Sequence, residues 1–154
     1  MKQYLAAIVG AGLFILLGVV GCNSTSQAKT ADRNDLEKTE GTWTLVSAEV
    51  DGKPLSDEIV KNSQLTIIGD KYTVKLGDSE IKRGIQKLDA TKTPKEINAR
   101  DTEGPTVGEN LGIYEFLPNG EFRVCFAATG KPRPTQFEST ADNGQFIHVW
   151  RRAK

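Results

Sequence analysis

The feature that most constrains this chain is a series of turn dipeptides between residues 51 and 144: Asp51-Gly52, Gly69-Asp70, Gly77-Asp78, Asn119-Gly120 and Asn143-Gly144. Each lies between apolar segments and sets a glycine beside Asp or Asn, the residues that adopt the positive φ angles of tight hairpin turns. Between the turns the apolar residues recur with a period of two. Tyr72, Val74 and Leu76 alternate with Thr73 and Lys75, and Phe122, Val124 and Phe126 alternate with Arg123, Cys125 and Ala127. That is the pattern of strands with one buried face. From Trp43 to Val50 the apolar phase switches from Trp43 and Leu45 to Val46, Ala48 and Val50, which predicts a β-bulge or a strand covered on both faces. Pro54 to Asn62 places Leu55, Ile59 and Val60 at near-helical spacing and predicts one short helix. About eight or nine short strands result, joined mostly by tight connections. Such a meander removes its edges by closing, so the expected fold is mainly β, a small antiparallel barrel rather than an open sandwich.

A different kind of segment precedes these strands. Met1 to Tyr4 carries one positive charge, and Leu5 to Val20 is an unbroken run of about 16 apolar or glycine residues, the length of a signal-peptide core. A spanning helix needs roughly 20 apolar residues and charged flanks, whereas Asn23 to Gln27 is neutral and polar. Val19-Val20-Gly21-Cys22 resembles the bacterial lipobox, in which a cysteine after a small residue takes a diacylglyceryl group before the leader is cut. The resemblance implies a signal peptide over 1–21 and a lipidated Cys22. Acyl chains of the palmitate class would then hold the protein to a membrane, since two or more chains anchor stably and one does not. An uncleaved signal anchor with an incidental cysteine is the alternative. Lipidation of Cys22 would leave Cys125 as the one free thiol, so no internal disulfide is expected.

From Cys22 to Thr39 the composition is Ser, Thr, Lys, Asp, Glu and Asn with a single large apolar residue, Leu36. Such a stretch cannot offset the entropy of folding by burial and predicts a flexible tether spanning roughly 25 Å. The folded domain is then expected over 40–152. Lys plus Arg and Asp plus Glu number 20 each, and Lys2 is the one charge in the leader, so a chain without it carries one net negative charge. No basic field is available to hold nucleic acid.

Two resemblances bear on the domain. Glu40-Gly41-Thr42-Trp43, Val46 to Pro54, Leu88-Asp89 with Thr91-Lys92 and Pro94-Lys95, Gly112-Ile113-Tyr114-Glu115, Cys125-Phe126, and Arg133-Pro134-Thr135 with Phe137 are similar to an uncharacterised domain family abundant in planctomycete bacteria. Asn98 departs from that pattern, which has an acidic residue there. The family implies a fold group and no activity. Gly41-Thr42-Trp43 with a late arginine, Arg151 or Arg152, also resembles lipocalin-type barrels, where a guanidinium packs across the indole of the first strand and closes the barrel base. Arg151 is the expected partner of Trp43. At about 113 residues the domain is short for a lipocalin, so the resemblance implies a small cavity.

The chain offers little overt chemistry. His148, the one histidine, falls on the expected last strand, and no His-x-His or Cys-x-x-Cys spacing surrounds it with ligands. An ordinary strand histidine is expected. Cys125 shares a strand face with Arg123, a cation that lowers a thiol pKa, but it equally suits a small buried hydrophobe. Arg133, in the stiff Pro-rich loop Gly130 to Thr135, suits either an anion-binding rim or a plain connection. The mixed-sign run Lys92 to Glu103 predicts a solvated face. No phosphate loop, nucleophile elbow or metal motif appears, so neither an enzyme nor a cofactor is expected. The expected function is a lipid-anchored cell-envelope protein facing the periplasm or exterior that binds a small, largely apolar ligand in its barrel. The alternative is a filled barrel whose surface binds or inhibits another envelope protein.

Overall fold

The computed structural model describes residues 24–105 and 107–154; the apolar leader and Cys22 lie outside the described residues. In chain order the elements are α1 (Ser24–Thr39), β1 (Gly41–Val50), β2 (Lys53–Pro54), α2 (Asp57–Asn62), β3 (Ser63–Ile68), β4 (Lys71–Leu76), β5 (Ser79–Asp89), β6 (Lys95–Glu103), β7 (Gly108–Phe116), β8 (Phe122–Ala127) and β9 (Gln145–Arg152). From β3 onward each strand pairs antiparallel with the next in sequence, β1 pairs with β3, and β9 returns to β1 from Trp43↔Arg152 to Val50↔Phe146. The result is the closed eight-stranded antiparallel barrel that the turn spacing predicts, with β2 attached outside the ring by two residue pairs.

The punctuation works as the dipeptides imply. Asp51 and Gly52 take φ of 51° and 70°, and Gly69, Gly77 and Gly120 also take positive φ where one strand reverses into the next. Asn143-Gly144 differs: it ends the long β8–β9 connection rather than forming a tight hairpin. The phase switch in β1 is a bulge, because its register against β9 shifts between Leu45 and Ser47. That extra residue lets Trp43, Leu45 and Ala48 all be buried. The short helix is α2, capped by Ser56, whose side chain accepts from the Ile59 N–H.

One end of the barrel is solid. Trp43, Tyr114 and Phe122 are almost fully buried there and meet edge-on or tilted, with Phe116 stacked on Phe122 at 5.3 Å between centroids. The flexible tether that composition predicts is, over Ser24–Thr39, the helix α1, so the described residues hold two helices rather than one. Asp32, Asp35, Leu36 and Thr39 fall at helical spacing on one face of it. That face docks largely through hydrogen bonds, with Leu36 its one large apolar side chain packed against the core, which is why hydrophobic periodicity misses it. The Asp35 carboxylate accepts from Lys38 at 3.0 Å, Lys95 at 2.5 Å and Tyr114 at 2.9 Å, and Asp32 accepts from the Ala90 N–H. Trp43 donates to the Thr39 carbonyl, and Gln86 to the Thr39 hydroxyl.

Arg152, and not Arg151, lies over the Trp43 ring, 4.4 Å from its centroid, and also donates to the carbonyls of Lys38 and Glu40. The period of two decides between them. Arg152 is the cross-strand partner of Trp43 and shares its face, whereas Arg151 turns outward and binds Glu121 at 2.6 and 3.0 Å. Glycine is required at position 41, where φ is 113° and a Cβ would stand 2.5 Å from the Arg152 guanidinium.

Candidate functional site

The opposite end of the barrel is hollow. Inward side chains from β1, β3, β4, β5, β6, β8 and β9 surround a cavity of about 260 Å³, with Asn110 of β7 at its rim and Leu55 and Ile59, from the β2–α2 segment, at its mouth. Ile59 and Ile81 remain exposed at that mouth. Phe122, which belongs to the aromatic plug described above, also lines the cavity, as does Trp150.

The wall has two unlike sides. On β8 and β9, Phe126, Phe146, His148 and Trp150 form an aromatic ladder, with successive centroid separations of 5.7, 5.4 and 5.8 Å. Around β4 to β7 lies a polar cluster centred on Asp101, which is 2% exposed. Its carboxylate accepts from the Tyr72 hydroxyl, from Asn110 at 3.1 Å and from Lys82 at 2.8 Å. Asn110 is in turn held by Thr129, whose hydroxyl donates to it at 2.9 Å. Tyr72 fits because its neighbour across the β4–β5 pair is Gly84; a Cβ there would meet the Tyr72 ring and hydroxyl at 2.6 and 2.5 Å. Burial and the Asp101 carboxylate push the Tyr72 phenol far above its ordinary pKa, so it remains a donor.

Two side chains keep unused capacity. The Lys82 ammonium carries three donors, of which the salt bridge to Asp101 takes one. Among the described residues no protein group hydrogen-bonds the His148 ring, which is only partly buried because it borders the cavity. Burial, helped by the positive charge of Lys82, lowers the His148 pKa to about 4, so the imidazole is neutral near pH 7 with one donor and one acceptor nitrogen. Ser63, also on the wall, donates to the Ile59 carbonyl at 2.7 Å.

Comparison with protein families, curated proteins and solved structures returns no match to this chain.

The candidates named from sequence fall elsewhere. Arg133 is no free anion receptor. Its guanidinium donates to the carbonyls of Ile97 and Gly112 at 2.9 and 2.5 Å and to Asn98 at 2.7 Å, and it pairs with Glu96 at 3.3 Å. It pins the β8–β9 connection to the outside of β6 and β7, and the adjacent Pro134 is fully buried. Asn98, the departure from the family pattern, supplies an amide oxygen to this same arginine. Cys125 lies under that connection, on the outer face of β8 next to Ile113, and burial raises its thiol pKa. Lys92 to Glu103 is a solvated face only in part, since Arg100, Thr102 and Glu103 are exposed while Asp101 turns inward. The signal for Asp101 is its place in the alternating series Ile97, Ala99, Asp101; sequence reasoning passes over it because its neighbours carry charge.

Proposed function

We propose that this protein is a small-ligand-binding module, with the ligand seated in the hollow end of the barrel and the chain held to a cell-envelope membrane by lipid on Cys22. The observation that carries the ligand-binding reading is the cavity itself. It is walled mainly by apolar side chains and bordered by two polar ones, Lys82 and His148, whose hydrogen-bonding capacity the protein leaves unspent. Ligand sites in proteins have that composition, apolar walls with a few placed polar groups, and barrel mouths are a common place for them. Catalysis is not part of the reading. The wall hydroxyl of Ser63 is committed to a backbone carbonyl, and Cys125 lies outside the barrel.

The alternative, a filled barrel that binds another protein, draws no support from a hollow interior. Native mass spectrometry of the chain released gently from envelope membranes separates the two. A stoichiometric small-molecule adduct, absent from a Val124→Trp variant that fills the cavity, is the expected result. A bare chain, or one carrying a second protein, would overturn the ligand reading. The anchor has its own test: a clickable fatty acid should label the wild type and not Cys22→Ala.

A further inference from the structure

We infer that the cavity is built for an uncharged aromatic molecule of about ten non-hydrogen atoms bearing one carbonyl or hydroxyl acceptor; this rests on the small-ligand reading and narrows it. Size comes first. A cavity of about 150 Å³ accommodates benzene, so the 260 Å³ here suits one ring with a short substituent.

The walls then select shape and charge. In the closed strand order β5 stands opposite β9, so Lys82 faces the ladder of Phe146, His148 and Trp150 across the cavity. A flat ring gains edge and offset contacts along that ladder. A flexible aliphatic chain of equal size loses more rotational freedom on binding there. Lys82 offers donors to the ligand, but its charge is already balanced by Asp101, and both Asp101 oxygens are taken by Tyr72, Lys82 and Asn110. A carboxylate ligand would set a second negative charge beside Asp101 in a site poor in water. An amine would meet Lys82 and find no open carboxylate. Each cost exceeds the gain from one more hydrogen bond in such surroundings. His148 is neutral and adds no charge to tip the balance. An uncharged acceptor is left, bonded by Lys82 through a donor that Asp101 does not take.

The full chain held in lipid nanodiscs, labelled with 5-fluorotryptophan, reports binding directly. Trp150 borders the cavity and Trp43 does not, so one resonance should shift and the other stay fixed. The probes are acetophenone, benzoate, benzylamine, ethylbenzene and octan-2-one at pH 7. Acetophenone should bind at least about tenfold more tightly than benzoate or benzylamine, and roughly fivefold more tightly than ethylbenzene or octan-2-one. Lys82→Met, which removes the donor and keeps the side-chain length, should erase the difference between acetophenone and ethylbenzene while ethylbenzene still binds. Should that variant fail to fold, the double variant Lys82→Met with Asp101→Asn removes the charged pair together and must give the same loss. Benzoate equal to acetophenone, or octan-2-one tighter than it, overturns the ligand class and leaves the cavity a binding site. A Trp150 resonance that no probe moves overturns the small-ligand reading itself.

Discussion

The two ends of the barrel are made from the same kinds of residue and treat them oppositely. At the base, Asp35 is taken up by Lys38, Lys95 and Tyr114, and Gln86, Thr39, Trp43 and Arg152 spend their polar atoms on one another or on backbone carbonyls, beneath a packed aromatic plug. At the mouth, Lys82 and His148 border the cavity with hydrogen-bonding capacity that the protein does not use, and the aromatic residues line the cavity wall. Saturated polar groups under dense packing stabilise a fold; polar groups left open beside apolar walls are the composition common to ligand sites, which supports the proposed binding role. The contrast predicts that damage to the base shows in stability and damage to the mouth shows in binding.

The largest effect should come from truncation in the plug. Trp43→Ala removes a side chain that is 1% exposed, together with its hydrogen bond to Thr39 and its stacking on Arg152. Urea unfolding should show a loss of about 4 kcal/mol. Phe146→Ala at the half-buried mouth should cost no more than about half of that. Equal losses at the two positions would break the comparison.

Acid should separate the ends next. The His148 pKa is about 4 in the folded protein, against about 6.5 in an unfolded chain. Between those values the unfolded state takes up a proton that the native state refuses, so stability falls as pH drops through that window. The loss should be on the order of 1 kcal/mol, since solvent in the cavity screens the partly buried ring, and His148→Phe should flatten it. Asp35 acts lower on the scale. Burial alone would raise its pKa, but hydrogen bonds from Lys95, Lys38 and Tyr114 outweigh burial and hold the carboxyl below its ordinary value. Its contribution is therefore complete above the unfolded carboxylate pKa and is lost only as pH falls through the folded one. Melting temperatures recorded from pH 8 to 2 should fall in two stages, the first absent in His148→Phe.

Asp35→Asn tests the docking of α1. It removes the charge that three donors converge on, and should cost about 2 kcal/mol at pH 7. Hydrogen exchange should then show the amides of α1 opening while those of β5 to β8 hold. Unchanged protection in α1 would show that the helix does not depend on this carboxylate.

The closed barrel, its β1 bulge and α2 could be read from the chain because turn dipeptides and period-two alternation are local signals. The site could not, for reasons visible in single residues. Asp101 sits among charged neighbours that point outward, so its inward turn shows only when Ile97 and Ala99 are counted with it. Lys82 follows a register shift of β5 against β4, between Glu80 and Lys82, and sequence gives no warning of it. Helix α1 docks by a polar stripe that looks like a solvated tether. Arg133 draws notice as a cation in a stiff loop, yet the carbonyls it serves come from strands distant in sequence.

The smallest predicted effect separates two adjacent arginines. Arg152 lies over Trp43 and holds the carbonyls of Lys38 and Glu40, while Arg151, its side chain 63% exposed, pairs with Glu121 on the outside. A guanidinium over an indole contributes about 1 kcal/mol when partly shielded, whereas an exposed ion pair contributes under about 0.5 kcal/mol. Arg152→Ala should therefore lower unfolding free energy by about 1 kcal/mol, and in a Trp43→Phe background that loss should shrink, because the two groups share one contact. Arg151→Ala should stay within error of the wild type. Were Arg151 the costlier of the two, the base would be held from outside the barrel, and the distinction between a sealed end and an open one would lose its footing.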